Sequence, residues 1–233
     1  MNIERNCFDS EHFGLNVGSL DVAAEESPTR DELAAQMVAC GWQMVTIKSS
    51  SVLSELKDSS VGALITLEGA LQTFRQYLES IQSRHVVEPL TNQDWNAVRR
   101  LQENAGRTRF SKDKHFSSEQ ICDHKMKMLR HYQQQNPRLS VAVRYHDGLA
   151  GFQVSRMRAD SLDFYEVVVD PSSSDGFVAV DLFRDVVARA TRLAPNCSNI
   201  STRIYADNIR SLKFFERLGM QRVDTTYYYH LWL

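Results

Sequence analysis

The chain has 233 residues, with 27 basic and 29 acidic side chains and a formal net charge of −2. This balance argues against a nucleic-acid or membrane-surface protein, because both classes normally carry a basic excess. No apolar run approaches the ~20 residues of a membrane span, and the first residues lack the apolar core of a signal peptide. The four cysteines form no CxxC pair, which favours reduced thiols and predicts a cytoplasmic protein.

The first part of the chain, residues 1–83, is predicted to form a small α/β domain. A helix is expected to begin after Thr29 or Asp31 and to end at Gly41, since glycine is a common C-terminal stop. The predicted elements in chain order are a strand over 17–22, a helix over 31–40, a strand over 43–48, a surface connection over 49–60, a strand over 61–67, and a helix or linker over 71–85.

The second part, residues 84–233, is predicted to be a larger α/β domain. Asp147 and Gly148 form a dipeptide that is a strong signal for a two-residue β-hairpin. The predicted elements in chain order are a strand over 85–90, a helix over 92–105, a polar loop over 106–116, a helix over 117–135, strands over 139–145, 149–158 and 162–171, a helix over 176–192, a strand over 198–206, a helix within 208–220, and a strand over 225–233.

In the predicted strand 162–171, the apolar residues switch from even to odd positions halfway along. Leu162 and Phe164 occupy even positions, but Val167 and Val169 occupy odd ones. One extra residue at 165–166 would return both pairs to a single face, which is what a β-bulge does, and bulges are common beside active sites. A strand buried on both faces would explain the same pattern.

The element order from residue 85 onward resembles that of the GNAT superfamily of acyl-CoA-dependent N-acyltransferases. The segments that carry the resemblance are VVVDP (167–171), SSSDGFVAVDLF (172–183), N-x-x-S-x-x-x-F-x-x-x-G-M from Asn208 to Met220, and the closing TTYYYHLWL (225–233). The resemblance implies an α/β (α+β) fold with a mixed, mostly antiparallel sheet flanked by helices, and acyl transfer within residues 84–233.

Two further segments resemble a narrower group within that superfamily. CFDSEHFGLNVGSL (7–20) and TRFSKD (108–113) look like the N-terminal domain and the substrate loop of TDP-fucosamine-type amino-sugar N-acetyltransferases. Those enzymes join a small N-terminal α/β domain to a GNAT domain. The resemblance therefore implies a TDP-linked amino sugar as the acceptor.

The resemblance implies that the start of the helix after residue 175 binds the pyrophosphate of acyl-CoA through its backbone amides and dipole. Against the family pattern Q/R-x-x-G-x-G/A, Ser173 stands at the Q/R position, Gly176 matches, and Val178 stands at the second glycine or alanine. Val178 adds bulk and Asp175 adds a negative charge, so both are expected to weaken phosphate binding. An ordinary polar N-cap region without a ligand is the alternative. The implied cofactor-binding residues here are Ser174, Asp175, Gly176, Phe177 and Val178.

Three more residues match cofactor-binding positions of the superfamily. Val167 and Val169 stand where a strand end aligns the pantetheine arm through backbone hydrogen bonds, although their side chains are also expected to be core. Asn208 matches an asparagine that contacts the cofactor. As a plain helix N-cap it would need no ligand, and both roles are compatible.

The catalytic groups are less clearly marked. Phe215 stands where the superfamily often has a tyrosine that protonates the leaving thiolate, and a phenylalanine has no proton to give. With Leu212 and Leu218 it forms an apolar helix stripe, which explains its presence. Tyr205 and Tyr227 to Tyr229 are other phenols whose positions the sequence leaves open. Glu166, turned into the cleft by the predicted bulge, is our candidate general base; a solvated edge glutamate is the alternative.

The loop GRTRFSKDKH (106–115) carries four cations, of which Arg107 and Arg109 are the candidate substrate-binding residues. Arginine binds phosphate groups bidentately, so these side chains could hold the diphosphate of a nucleotide sugar. A solvated basic loop explains the composition equally well. The histidines show no metal-binding spacing, and no metal is predicted.

The sequence thus predicts an N-acyltransferase that uses acetyl-CoA, or another acyl-CoA, and a primary amine, with neither nucleic acid nor a membrane as partner. A homodimer is left open. Two alternatives stand beside this interpretation. One is a catalytically degenerate binding or scaffolding protein with the same fold, and the other is an enzyme with a different acyl donor.

Overall fold

The computed structural model describes residues 2–105, 108–145, 148–173 and 176–233. Their strands are β1 Glu4–Arg5, β2 Val17–Val22, β3 Met44–Ser49, β4 Ser60–Ala70, β5 Val87–Pro89, β6 Ser140–Tyr145, β7 Gly148–Arg158, β8 Ser161–Val169, β9 Asn199–Tyr205 and β10 Gln221–Trp232. Their α-helices are α1 Cys7–Phe13, α2 Arg30–Cys40, α3 Leu71–Glu79, α4 Trp95–Ala105, α5 Ser118–Gln135, α6 Phe177–Leu193 and α7 Ile209–Arg217.

The strands of the described residues form one sheet in the order β1-β2-β3-β10-β4-β9-β8-β7-β6-β5. The pairs β2·β3 and β8·β9 are parallel, and the other neighbours are antiparallel. The predicted fold class, a mixed and mostly antiparallel sheet flanked by helices, is confirmed. β4 precedes residue 84 yet lies between β9 and β10, so the sheet runs through both parts of the chain. The division into two domains at residue 83 stays a prediction.

Helices cover both faces of the sheet's central strands. On one face α3, α6 and α7 pack against the sheet, and the buried residues include Phe74, Phe183 and Phe215. On the other face α4 and α5 pack against β6, β7 and β8. Because successive strand residues point to opposite faces, each central strand contributes to both cores, and the α4/α5 face is the one that later bears the candidate site.

The N-terminal helix α1 and the strand β1 were not predicted. Asn6 accepts a hydrogen bond from the Asp9 backbone at 3.1 Å, and Gly14 ends the helix at φ 66°. The buried residues of α1 are the polar Asp9 and Ser10, so the helix has no apolar stripe for a periodicity argument to detect. The last strand also begins earlier than expected, at Gln221 instead of residue 225. Asp147 of the predicted hairpin lies outside the described residues.

The predicted β-bulge in β8 is confirmed. Val154 of β7 pairs with Glu166, but the next residue of β7, Ser155, pairs with Phe164, so Tyr165 is the extra residue. Leu162 and Phe164 belong to the core under α6, and Val167 and Val169 pack against that same core. The bulge therefore restores the two apolar pairs to one face, as their change of parity indicated.

A glycine in β7 makes room for the start of α6. A Cβ added to Gly151 would lie 2.8 Å from the Val178 side chain and 2.9 Å from the Val168 carbonyl oxygen. Val178 is fully buried in that space. Its bulk is thus taken up by the sheet, whereas the predicted weakening of phosphate binding by Val178 stays a prediction.

We expect Gly151→Ala to lower the free energy of unfolding by about 1–3 kcal/mol, the usual cost of overpacking a close contact. Gly148→Ala is the matched control, because its added Cβ would meet nothing within 4 Å. In that open position alanine should be neutral or stabilise by up to ~1 kcal/mol through a less flexible unfolded chain. Urea denaturation of both variants measures the difference, and equal stabilities would contradict the assigned contact.

Candidate functional site

The parallel strands β8 and β9 separate halfway along their length. They pair at four positions, from Ser161 with Asn199 to Phe164 with Thr202. Beyond that point β8 continues to pair with β7, and β9 with β4. At the point of separation the Thr202 hydroxyl donates a 3.0 Å hydrogen bond to the Phe164 carbonyl. The sheet therefore has an opening between the last residues of the two strands.

The bulge turns Glu166 towards the α4/α5 face at this opening. Its carboxylate forms an ion pair with Lys125 on α5, at 2.5 Å from Nζ. It also accepts a 3.1 Å hydrogen bond from Gln102 Nε2 on α4. The Glu166 side chain is 16% exposed. The alternative of a solvated edge glutamate is therefore wrong, because the carboxylate is held between two helices. Its role as a general base stays a prediction.

Lys125 remains a cation in this setting. Burial alone would lower the pKa of its ammonium, but the negative charge of Glu166 and the hydrogen bond to it raise that pKa well above its usual range. The Lys125 ammonium also lies 5.1 Å from the centroid of the Tyr165 ring. A buried ion pair of this kind is costly to desolvate and is weak evidence for stability. Its place beside the opening in the sheet fits a functional role better.

A cavity of about 490 Å³ leads from the surface to this ion pair. It lies between α4, the segment 108–111 and the first half of α5. The described residues that line it are Arg99, Gln102, Glu103, Thr108, Ser111, Ser118, Glu119, Ile121, Cys122 and Lys125. Arg99 contacts Asp123 at 2.5 Å and Glu103 at 3.1 Å. Each cation of this described lining is therefore paired with a carboxylate, and the rest of the wall combines hydroxyl groups with the apolar Ile121 and Cys122.

One wall of the cavity, the segment 108–116, is anchored to the N-terminal helix. Asp9 of α1 forms an ion pair with Arg109 and accepts a 2.8 Å hydrogen bond from His124 Nε2 on α5. Although burial alone would raise the pKa of the Asp9 carboxyl, the His124 hydrogen bond and the Arg109 charge hold that pKa below its usual range. Arg109 is thus already engaged within the chain. Arg107 lies outside the described residues.

A second buried carboxylate holds the other end of the same segment. Asp113 accepts hydrogen bonds from His230 Nδ1 at 2.6 Å, from Trp232 Nε1 at 2.9 Å and from His115 Nδ1 at 2.8 Å. Burial lowers the pKa of His230, despite the nearby carboxylate. Phe110 is fully buried within the same segment. This segment is therefore packed against β10, α1 and α5, whereas its side chains Lys112 and Lys114 are exposed, as the solvated-loop alternative expects.

The start of α6 lies on the far side of the opening from this cavity. Gly176 is the N-cap, at φ 63°, and offers the first turn no side-chain hydrogen bond. Ser173 donates instead to the Asp170 carbonyl oxygen at 2.6 Å, so it serves the loop's own geometry. The exposed Arg84 places its guanidinium carbon 3.6 Å from the centroid of the Phe177 ring. Ser174 and Asp175 lie outside the described residues.

The remaining predicted residues lie on α7. Asn208 is exposed and caps the helix, since its side chain accepts a 3.3 Å hydrogen bond from the Ser211 backbone. The N-cap interpretation of Asn208 is confirmed, and its contact with a cofactor stays a prediction. Phe215 is buried among other rings, including Phe74 and Phe183. The interpretation of Phe215 as a core residue is confirmed.

Lys125 and Gln102 are the site residues that sequence reasoning missed. Cys122, Met126 and Leu129 mark the buried face of α5, and Lys125 shares that face by helical spacing. Gln102 similarly lies one turn beyond Val98, on the buried face of α4. A charged or amide side chain on an apolar stripe indicates a buried partner, and this signal could have located both residues.

Within the described residues no group of three or more histidine, cysteine, aspartate or glutamate side chains has an arrangement suited to a metal ion. None of the helices in the described ranges combines the length and the apolar character needed to cross a membrane.

Comparison with known proteins places the fold. No protein-family model and no curated protein matches the sequence. A conserved protein of unknown function from Staphylococcus epidermidis matches with a TM-score of 0.62 at 9% identity, over 92% of this chain and 82% of that one. A GCN5-related N-acetyltransferase from Sphaerobacter thermophilus matches with a TM-score of 0.54 at 14% identity, over 86% of this chain and 64% of that one.

A third solved structure is a tandem GNAT protein from the clavulanic acid biosynthesis pathway. It matches with a TM-score of 0.53 at 13% identity, over 87% of this chain and 67% of that one. The chain therefore spans about two thirds of the length of these two GNAT proteins. At such low identities the likeness shows the fold alone, and that fold is of the GNAT type, as the sequence resemblance implied.

We expect Asp9→Asn to lower the free energy of unfolding by about 3 kcal/mol or more, because the substitution leaves the Arg109 cation without its buried counter-charge and weakens the hydrogen bond from His124. Asp21→Asn is the matched control. Asp21 is 77% exposed and contacts Lys48 at 3.0 Å, and such surface pairs contribute about 0–1 kcal/mol. Denaturant titration of both variants gives the comparison. A loss for Asp9→Asn no larger than for the control would show that α1 does not hold the cavity wall.

Proposed function

We propose that this protein is an acyl-CoA-dependent N-acyltransferase that transfers an acyl group, acetyl in the simplest case, to a primary amine. The observation that carries the proposal is the opening between β8 and β9, with the cavity and the bulge residue Glu166 on one side and the start of α6 on the other. An extended thiol ester and an amine could meet there from opposite sides of the sheet.

The donor side fits a pantetheine arm and a pyrophosphate. In the described residues, 165–169 of β8 have no paired strand on the side of β9, so backbone groups at Val167 and Val169 are free to bind an extended ligand as a strand would. The first-turn amides of α6, from Phe177 onward, carry the positive end of the helix dipole. Arg84, stacked on Phe177, supplies a cation near this helix start. The family pattern can have an arginine at the position of Ser173, which is uncharged here.

The acceptor side fits an amine better than an anion. The described cations of the cavity wall, Arg99 and Lys125, are already paired with carboxylates. Glu119 also lines the cavity, and its negative charge favours a positively charged ligand. Electrostatic complementarity of this kind contributes more to selectivity than to affinity.

The proposed reaction is direct attack of the neutral amine on the thioester carbonyl. In the tetrahedral intermediate the nitrogen is bonded to a carbon that bears electronegative atoms, and its proton is more acidic than that of the free ammonium. A carboxylate beside the reacting centre can accept this proton directly or through water. Glu166 is the group in position to do so.

The identity of the acceptor rests on the segment resemblance. A nucleotide-linked amino sugar such as a TDP-amino sugar is the acceptor that this resemblance favours, and the two segments concerned touch each other through Asp9 with Arg109 and Phe13 with Phe110. Arg109 pairs with Asp9, and Lys112 lies 3.5 Å from Asp207. A diphosphate would have to compete with these carboxylates. A cytoplasmic location and a homodimer remain part of the proposal.

The direct test has two steps. Acetyl-CoA at 100 times its dissociation constant should stabilise the protein by about 2.7 kcal/mol and raise its melting temperature. With a panel of amines that includes TDP-amino sugars, the wild type should release CoA, and Glu166→Gln should lower kcat by about 10²–10⁴-fold, as expected for loss of a general base. Glu55→Gln, an exposed glutamate in another part of the fold, is the matched control.

The outcomes separate the alternatives. Because Glu166→Gln leaves Lys125 beside a neutral amide, its melting temperature and acetyl-CoA affinity are measured beside its kcat. No thermal shift with any acyl-CoA would overturn the proposal in favour of a scaffolding protein. A shift with a longer acyl-CoA but not with acetyl-CoA would change the donor. Turnover of simple amines but not of TDP-amino sugars would remove the amino-sugar acceptor alone.

A further inference from the structure

The last residue of β9, Tyr205, lies at the opening between the strands. Ile200 and Ile204 of β9 belong to the core under α6 and α7. Because residues alternate between faces along a strand, Tyr205 points to the opposite face, where α4 and α5 lie. Glu166 of β8 is turned to this same face, as its contacts with Lys125 and Gln102 show. The phenol and the carboxylate thus flank the opening on one side of the sheet.

Tyr205 has the surroundings of a reactive phenol. Its ring is half-buried, and the charged groups whose fields reach the hydroxyl are Lys125, Arg109 and Glu166. Among the described residues no side chain or backbone group forms a hydrogen bond with this hydroxyl. The hydroxyl is also in contact with solvent, because it is not among the fully buried polar atoms that lack a partner. A polar group that is partly buried, unpaired and accessible in a cleft is available to a ligand.

Tyr229, Tyr228 and Phe215 do not share this position. The hydroxyl of Tyr229 accepts a 2.8 Å hydrogen bond from the Leu53 backbone, in a different core. Tyr228 is buried. Phe215 is packed under the opposite face of the sheet, against Phe74 and Phe183. Tyr205 is thus the phenol at the end of β9 that borders the opening from the α4/α5 face.

We infer that Tyr205 is the general acid of the proposed reaction and protonates the thiolate of CoA as it leaves. This inference rests on the proposed acyl transfer and adds a residue to it, in place of the proton donor that Phe215 cannot be.

The proton balance of the step closes. The amine nitrogen forms a bond to the thioester carbon, and the carbonyl π electrons move to oxygen. When the carbonyl re-forms, the C–S bond breaks and its electron pair goes to sulfur, which takes the proton of Tyr205 and becomes the thiol. The surplus proton on nitrogen passes to Glu166, directly or through water. Glu166 then returns one proton to the tyrosinate, and the products are an amide and CoA.

The electrostatics of the cleft suit such a donor. Burial is the main cause that raises the pKa of Tyr205 above its usual range, so the phenol keeps its proton at neutral pH. The nearby charges of Lys125 and Arg109 act in the other direction and lower the pKa of Tyr205. They would stabilise the tyrosinate during the short time in which it exists.

The test compares Tyr205→Phe with Tyr77→Phe, an exposed tyrosine of α3. Each variant is assayed with acetyl-CoA and the best amine found for the wild type. For Tyr205→Phe we expect kcat to fall by about 10²-fold or more, the usual effect of losing a general acid, with KM for acetyl-CoA within about twofold. Tyr77→Phe should match the wild type.

A second readout needs CoA alone and no acceptor. The thiol of bound CoA is titrated by the ultraviolet absorbance of its thiolate. Donation from Tyr205 stabilises the thiolate, so it should form at lower pH in the wild type than in Tyr205→Phe, whereas a merely structural role would leave the titration unchanged.

The outcomes keep this inference apart from the proposed function. If the wild type turns over and Tyr205→Phe retains its kcat within about twofold, Tyr205 is not the acid and the acyltransferase proposal stands. If the activity of Tyr205→Phe falls only because acetyl-CoA binds more weakly, and the titration of the CoA thiol is unchanged, the assignment of Tyr205 as the acid is overturned as well. If the wild type neither binds CoA nor releases it from acetyl-CoA, the proposed function fails and the role of Tyr205 fails with it.

Discussion

The arrangement of the site depends on one local mismatch in the sheet, the extra residue that β8 carries opposite β7. Tyr165 has no counterpart on β7, and the strand therefore shifts its register between Phe164 and Glu166. Pairing with β9 stops at the same place, where the Thr202 hydroxyl takes up the Phe164 carbonyl. The buried hydrogen bond is important here, because an unsatisfied carbonyl at that point would cost about 1–3 kcal/mol. A bulge and one hydroxyl thus convert a continuous sheet into one with an opening.

The same mismatch also decides which groups face the opening. Apolar residues of β8 stay on the α6 face before and after the bulge, and Glu166 is moved to the α4/α5 face. There it meets Lys125, a cation on an otherwise buried helix face. The two helices that carry Lys125 and Gln102 form two sides of the cavity, so Lys125 connects the cavity wall to the Glu166 carboxylate at the opening. The segment 108–111 forms the third side of the cavity, and its Arg109 is held by the ion pair with Asp9.

Much of the fold could be predicted from the sequence, because alternation and capping are local signals. The change of parity between Phe164 and Val167 predicted the bulge, and Asn208 with its following turn predicted the start of α7. The helix α1 could not be predicted, since its buried residues are polar. Nor could the place of β4 between β9 and β10, because strand order is set by contacts between segments distant in the chain. The site was predicted in part: Glu166 from the bulge, but not its partners on two separate helices. The burial of Val178 could not be predicted, because the space it fills lies beside Gly151, a residue 27 positions away in the sequence.

The central claim is that the opening between β8 and β9 admits the pantetheine arm of an acyl-CoA. The most direct measurement is a crystal structure of the protein grown with acetyl-CoA in excess. The account predicts density for the pantetheine between residues 165–169 and the end of β9, with the diphosphate on the amides that begin at Gly176 and the sulfur on the side of Tyr205. Strands that close together beyond Phe164 and Thr202, or CoA bound elsewhere with the opening empty, would contradict it.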